Sequence, residues 1–151
     1  MQLTLFLKDT FVETYSMKKM IVLLVSTLFI INITYCQTAL RFCGAISPEN
    51  GYCIFNNTKF ISSPDSASER IYMQIKNPRG LSSDKVTFKI FSVGKGGEET
   101  FSHSLVQNIQ KEWDSSWQPE IFDSPGTYLI KVYNDADLLI CSKSFELLKY
   151  W

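Results

Sequence analysis

An all-β fold, a single antiparallel sandwich of about seven strands, is predicted for the larger part of this 151-residue chain by three observations. Apolar and polar residues alternate in one segment after another, turn-forming residues interrupt the alternation at intervals of roughly 8–12 residues, and nothing past residue 36 keeps the period of an amphipathic helix. Side chains of a strand point to opposite faces in turn, so a strand with one face buried must alternate.

The chain opens on a different pattern. Residues 1–16 mix Leu3, Leu5, Phe6 and Leu7 with two acids and suit no folded element, so they read as an upstream extension. Met17-Lys18-Lys19-Met20 then supplies a positive head, Ile21 to Ile31 runs apolar apart from Ser26 and Thr27, and Thr34-Tyr35-Cys36 ends the run. This is the pattern of a signal peptide over residues 17–36. Its apolar core is shorter than the ~20 residues of a spanning helix. Cleavage after Cys36 would release a soluble domain beginning at Gln37. Cleavage before Cys36 would instead give a lipid-anchored form, but bulky Tyr35 stands where a lipobox has a small residue, so release is preferred.

The domain of residues 37–151 is long enough for one core and too short for two ordinary ones. The chain holds 15 basic and 15 acidic residues; without Lys8, Lys18, Lys19, Asp9 and Glu13 the domain holds 12 and 13. No basic run is present, which argues against nucleic acid as a partner and against a polybasic membrane patch.

The first hairpin is expected where Cys43 and Cys53 flank Ser47-Pro48-Glu49-Asn50-Gly51, a strong turn signal. Folding back there would bring the two cysteines together. Either could instead bond Cys141, which lies in the apolar run Leu138-Leu139-Ile140-Cys141 and otherwise packs as a small hydrophobe. Ser62 to Ser68 reads as a loop. In Ile71-Tyr72-Met73-Gln74-Ile75-Lys76, Ile71, Met73 and Ile75 share one face, and Asn77-Pro78-Arg79-Gly80 stops the strand. Val86, Phe88 and Ile90 alternate until Phe91 and Val93 shift the phase, the mark of a bulge or of a strand changing sheets.

Gly94-Lys95-Gly96-Gly97 makes a hairpin tip, and Thr100 to Ile109 a further strand with Phe101, His103 and Leu105 on one side. Trp113 to Phe122 reads as a loop with a short strand, because Pro119 disfavours a central ladder position. Tyr128, Ile130 and Val132 alternate, Asn134-Asp135-Ala136-Asp137 turns the chain, and Leu139, Cys141, Phe145 and Leu147 form the return strand.

The stretch Asp123-Ser124-Pro125-Gly126-Thr127-Tyr128-Leu129-Ile130-Lys131-Val132 resembles the penultimate strand of immunoglobulin-like sandwiches, and with the Asn134-Asp135 turn and Phe145 it is similar to bacterial Ig-like and PKD-type modules of small exported proteins. The resemblance implies a tyrosine corner built on Tyr128, with Asp123 and Gly126 before it, in which the phenol returns to a backbone group upstream. Ile130 occupies the position of the second core cysteine of antibody domains, so their inter-sheet disulfide is not carried over.

Chemistry is sparse. His103 is the only histidine and has no evident nucleophile or acid partner in the sequence, and no GxSxG, HExxH or phosphate-loop pattern occurs. No catalytic residue, cofactor or metal site is therefore expected. Asp135 and Asp137 beside Asn134 would suit calcium only if Asp123 or Asp114 came near; the plainer reading is a turn. Asn56-Asn57-Thr58 fits a glycosylation acceptor, relevant only in a eukaryotic secretory pathway.

Trp113 and Trp117, with Trp151, Tyr150 and Phe122, offer an aromatic binding surface, against the plainer expectation that Trp113 or Trp117 fills the core. The expected function is a secreted or periplasmic, non-catalytic binding or accessory module that contacts a protein partner, without nucleic acid and without membrane insertion of the domain. The alternative is a small-ligand or carbohydrate binder using Trp113 and Trp117.

Overall fold

The alternating segments pair into two facing sheets. The computed structural model describes residues 38–62 and 69–149; the expectations for the extension, the signal peptide, Cys36, Tyr150, Trp151 and most of the Ser62–Ser68 loop lie outside them. The described strands are β1 (Ala39–Ile46), β2 (Cys53–Asn56), β3 (Lys59–Ile61), β4 (Glu69–Lys76), β5 (Lys85–Val93), β6 (Glu99–Asn108), β7 (Ser115–Phe122), β8 (Gly126–Tyr133) and β9 (Leu139–Leu148). One sheet has the order β2-β1-β4-β7 and the other β3-β9-β8-β5-β6.

That order defines an immunoglobulin-like sandwich. β4 and β5 are consecutive yet lie in different sheets, β7 returns to β4, and β8 inserts between β5 and β9. These are the connections of strands B, C, E, F and G of the immunoglobulin fold, and β6 extends the second sheet as C′ does in variable-type domains. The first strand is split. β1 pairs antiparallel with β4, whereas β3 pairs parallel with β9, Phe60 opposite Leu147. The all-β sandwich expected from the alternation is the fold found; short β2 and β3 bring the described strands to nine, and the β3–β9 pairing is parallel where the others are antiparallel.

The core follows the predicted faces. Ile71, Met73 and Ile75 of β4, Val86, Phe88 and Ile90 of β5, and Ile130 and Val132 of β8 are all buried. Phe145 of β9 lies between the sheets. Its ring meets Phe42 of β1 and Phe122 of β7 at 4.8 Å each, and Phe60 of β3 at 5.8 Å. Cys141 joins this core and takes no part in a disulfide.

Three local expectations change. The phase slip at Phe91 is a bulge, but the extra residue is Ser102 on the partner strand, since Ile90 opposes His103 and Phe91 opposes Phe101. Leu139 is exposed because the β8–β9 register shifts between Val132 and Tyr133, which turns it away from the face of Cys141. The short strand after Trp113 is eight residues long, and Pro119 is accommodated because β7 is an edge strand.

At the start of β8 the Tyr128 hydroxyl donates to the Ser124 carbonyl at 2.6 Å, while its ring stacks on Phe145 at 5.4 Å and 20°. Burial, with the nearby Asp123 charge, raises the phenol above its ordinary range. The neutral form is thus favoured in the folded state, and its contribution is complete below the unfolded pKa of about 10 and lost as pH rises through the folded value. Tyr128→Phe is expected to cost about 1 kcal/mol in urea unfolding at neutral pH, and to lessen the fall in stability above about pH 10. An unchanged midpoint and an identical alkaline limb would refute the corner's role. Phe145→Ala should cost about 3–5 kcal/mol in the same measurement.

Candidate functional site

The first hairpin loop folds over the outer face of the first sheet, and that placement starts with a few backbone groups. Ser47 N–H donates to the Tyr52 carbonyl at 2.8 Å, Gly51 N–H to the Ser47 carbonyl at 2.9 Å, and Tyr52 N–H to Asn50 Oδ1 at 3.0 Å. Gly51 takes φ 66°, a left-handed value that a residue without Cβ adopts at little cost. Its carbonyl accepts Gln74 Nε2 at 2.9 Å. Gln74 lies on the polar, outward side of β4, yet it is buried, because the loop covers it.

A disulfide between Cys43 and Cys53 fastens the hairpin, with Cα atoms 5.4 Å apart. The ladder sets Cys53 against Ile46 and Cys43 against Asn56, so the bond runs diagonally across the pair instead of joining facing residues. Cys43 is wholly buried beneath it. Beyond the bond, Phe55 takes φ 56° and packs over Gly44, where an added Cβ would lie 3.5 Å from the Phe55 Cβ. A bulky residue at positive φ is uncommon, and such strain persists only where the surroundings enforce it.

The result is an exposed apolar segment that leads from the turn into edge strand β2. Tyr52 is 63 % exposed and Phe55 79 %, with Ile54 between them at 38 %. Sequence reading passed over these residues, because Cys53 to Asn56 is too short to alternate. The available signal was the unbroken apolar run from Tyr52 to Phe55 directly after a turn.

Two clefts flank the loop and share Gly51 and Ser115. One, of about 390 Å³, is lined by Trp113, Trp117, Gln107, Ser116 and Gln118. The other, of about 580 Å³, is lined by Arg41, Tyr52, Lys76 and Asp114 and is the more polar. Trp113 and Trp117 are 42 % and 41 % exposed, so neither fills the core, contrary to the plainer expectation. The reason is register: Ser116 and Phe122 of β7 point inward, and Trp117 falls on the opposite side. Phe122 is in turn removed from the aromatic surface, since it belongs to the core.

Tyr72 packs edge-on against Trp117 at 5.8 Å, and Gln107 Nε2 donates to the Trp117 carbonyl at 3.1 Å across the open edge between the sheets. Gln107 Oε1 and Ser116 Oγ are buried without a hydrogen-bond partner among the described residues.

His103 has acquired neighbours that the sequence hid. The bulge sets Ser102 Oγ 3.0 Å from its Nδ1, and Glu120 Oε1 of β7 lies 3.5 Å from its Nε2. The residue types match a nucleophile, base and acid, but Ser102 and His103 are strand neighbours brought together by one extra residue and line neither cleft. Asp135 and Asp137 are accounted for by the turn, in which Asn134 Oδ1 accepts the N–H groups of Ala136 and Leu138, and Asp137 pairs with Lys89 at 3.3 Å. Among the described residues no cluster of three or more histidines, cysteines or acids is placed to hold a metal ion.

No family model matches the chain, and no curated protein matches it. Among solved structures, it is similar to an immunoglobulin-like protein from Pseudomonas aeruginosa, at 13% identity and a TM-score of 0.48 over 76% of this chain and 98% of that one. The fold class rests on the strand order and register described above.

Replacing both bonded cysteines, Cys43→Ala with Cys53→Ala, is expected to cost about 2–3 kcal/mol in denaturant unfolding. Reduction of the native protein should move the midpoint by a similar amount. A protein indifferent to reductant would contradict the hairpin's fastening.

Proposed function

We propose that this chain is an exported, non-catalytic binding module that grips a protein partner through the Tyr52–Phe55 segment of its first hairpin, on the edge strand β2. The observation that carries the reading is Phe55: the residue is 79 % exposed on a backbone at φ 56°, two residues after a disulfide-bonded cysteine. An exposed phenylalanine gains little from folding, and its backbone strain costs more, so the arrangement makes sense as a preformed anchor. Fixing an aromatic side chain in advance lowers the ordering cost of association, and aromatic anchors dominate interface energetics.

Export is supported by the Lys18-Lys19 head, the apolar run to Ile31 and the small residues before Gln37. The Cys43–Cys53 bond fits an oxidising compartment, where disulfides persist. Among the described residues no helix is long and apolar enough to cross a membrane.

The test is affinity capture from the envelope and extracellular fractions of the source organism, followed by titration of the purified partner. Phe55→Ala combined with Tyr52→Ala should weaken binding by at least about thirtyfold, the scale of a hot-spot loss, with an unfolding midpoint close to that of the native protein. A partner held equally well by the native protein and this variant would place the contact elsewhere and end the proposal.

A further inference from the structure

The cleft between Trp113 and Trp117 is separate from the apolar segment and differs from it chemically. Its lining residues carry no charge: two indoles and Pro119 supply apolar wall, and Gln107, Gln118, Ser115 and Ser116 supply amide and hydroxyl groups. A neutral lining gives no partner to a phosphate, a carboxylate or an ammonium group, and burying such a charge unpaired is costly. A hydrocarbon ligand fares little better. It would cover the Gln118 amide and the Ser115 hydroxyl without hydrogen-bonding them, at about 1–3 kcal/mol for each group left unpaired. The ligand that satisfies both kinds of wall has apolar C–H faces to lie on indole and hydroxyls to hydrogen-bond amides.

From this lining we infer that the Trp113–Trp117 cleft is a subsite for a neutral saccharide. The platform is preorganised. Tyr72 braces Trp117 edge-on at 5.8 Å, and the bond from Gln107 Nε2 to the Trp117 carbonyl at 3.1 Å ties the strand that carries the indole to β6 of the other sheet. Ser115 and Gln118 of β7 supply further polar wall. Trp113 comes from the loop before β7, so the two indoles belong to one chain segment, and Gln107 is contributed by β6 of the other sheet. A cleft of about 390 Å³ lies at the small end of the usual range for ligand sites, which suits a short segment of a glycan chain.

The experiment uses the full chain and five neutral probes: cellohexaose, xylohexaose, mannohexaose, maltohexaose and hexa-N-acetylchitohexaose. Each is titrated by tryptophan emission and by calorimetry. At least one is expected to saturate with a blue shift of the indole emission, and Trp117→Ala and, separately, Trp113→Ala should each weaken that binding by about tenfold or more. Both indoles are half exposed, so these variants should fold, and Tyr128 stacking in the intact corner gives an independent near-ultraviolet check. Phe55→Ala should leave the affinity unchanged, which separates this site from the protein contact. Absence of saturation by all five probes up to about 10 mM, or binding that survives both tryptophan replacements, would overturn the inference.

Discussion

The contact on which the rest depends is the meeting of aromatic rings around Phe145. Phe42 and Phe122 reach it from one sheet, while Phe60 and Tyr128 stand beside it on the other. A sheet with one apolar face is stable only against another such face, and these rings are where the two faces interlock at one end of the sandwich. The inter-sheet disulfide of antibody domains has no counterpart at Ile130, which is simply buried. Packing supplies the cohesion there. The chain's disulfide is placed instead at the periphery, where it shapes a hairpin.

That division of labour explains the candidate site. The outer face of the first sheet would ordinarily be solvated and polar, but the loop from Ser47 to Tyr52 lies across it and buries Gln74. The covering creates two clefts of opposite character from one strip of residues: neutral and aromatic beside Trp117, charged beside Arg41 and Lys76. The same loop leads into the strained, exposed Phe55. One short segment thus shapes three surface features, two clefts and an exposed phenylalanine, and the packed core lies behind it.

Much of the fold was legible because half-buried strands are forced to alternate. Ile71, Met73 and Ile75, or Val86, Phe88 and Ile90, cannot be read as anything else once flanked by turn residues, and Tyr128 marks the penultimate strand by its place after Gly126. Pro119 was informative too, since it can only sit at an edge. What sequence could not show was non-local. The parallel pairing of β3 with β9 joins residues far apart in the chain, and no local pattern encodes it. The bulge at Ser102 was visible as a slip at Phe91, but only the pairing reveals which strand carries the extra residue. Trp117 looked like core because tryptophan usually is; a one-residue parity along β7 decides that Ser116 faces inward instead.

The central claim is that two sheets close on one another around Phe145. Nuclear Overhauser contacts among aromatic ring protons of the folded protein measure this directly. Cross-peaks from Phe145 to both Phe42 and Phe122 are predicted, since those two rings belong to the sheet that faces Phe145. A folded protein in which the Phe145 ring shows contacts to neither, and whose ring protons are broadened by a soluble paramagnetic agent, would contradict the account.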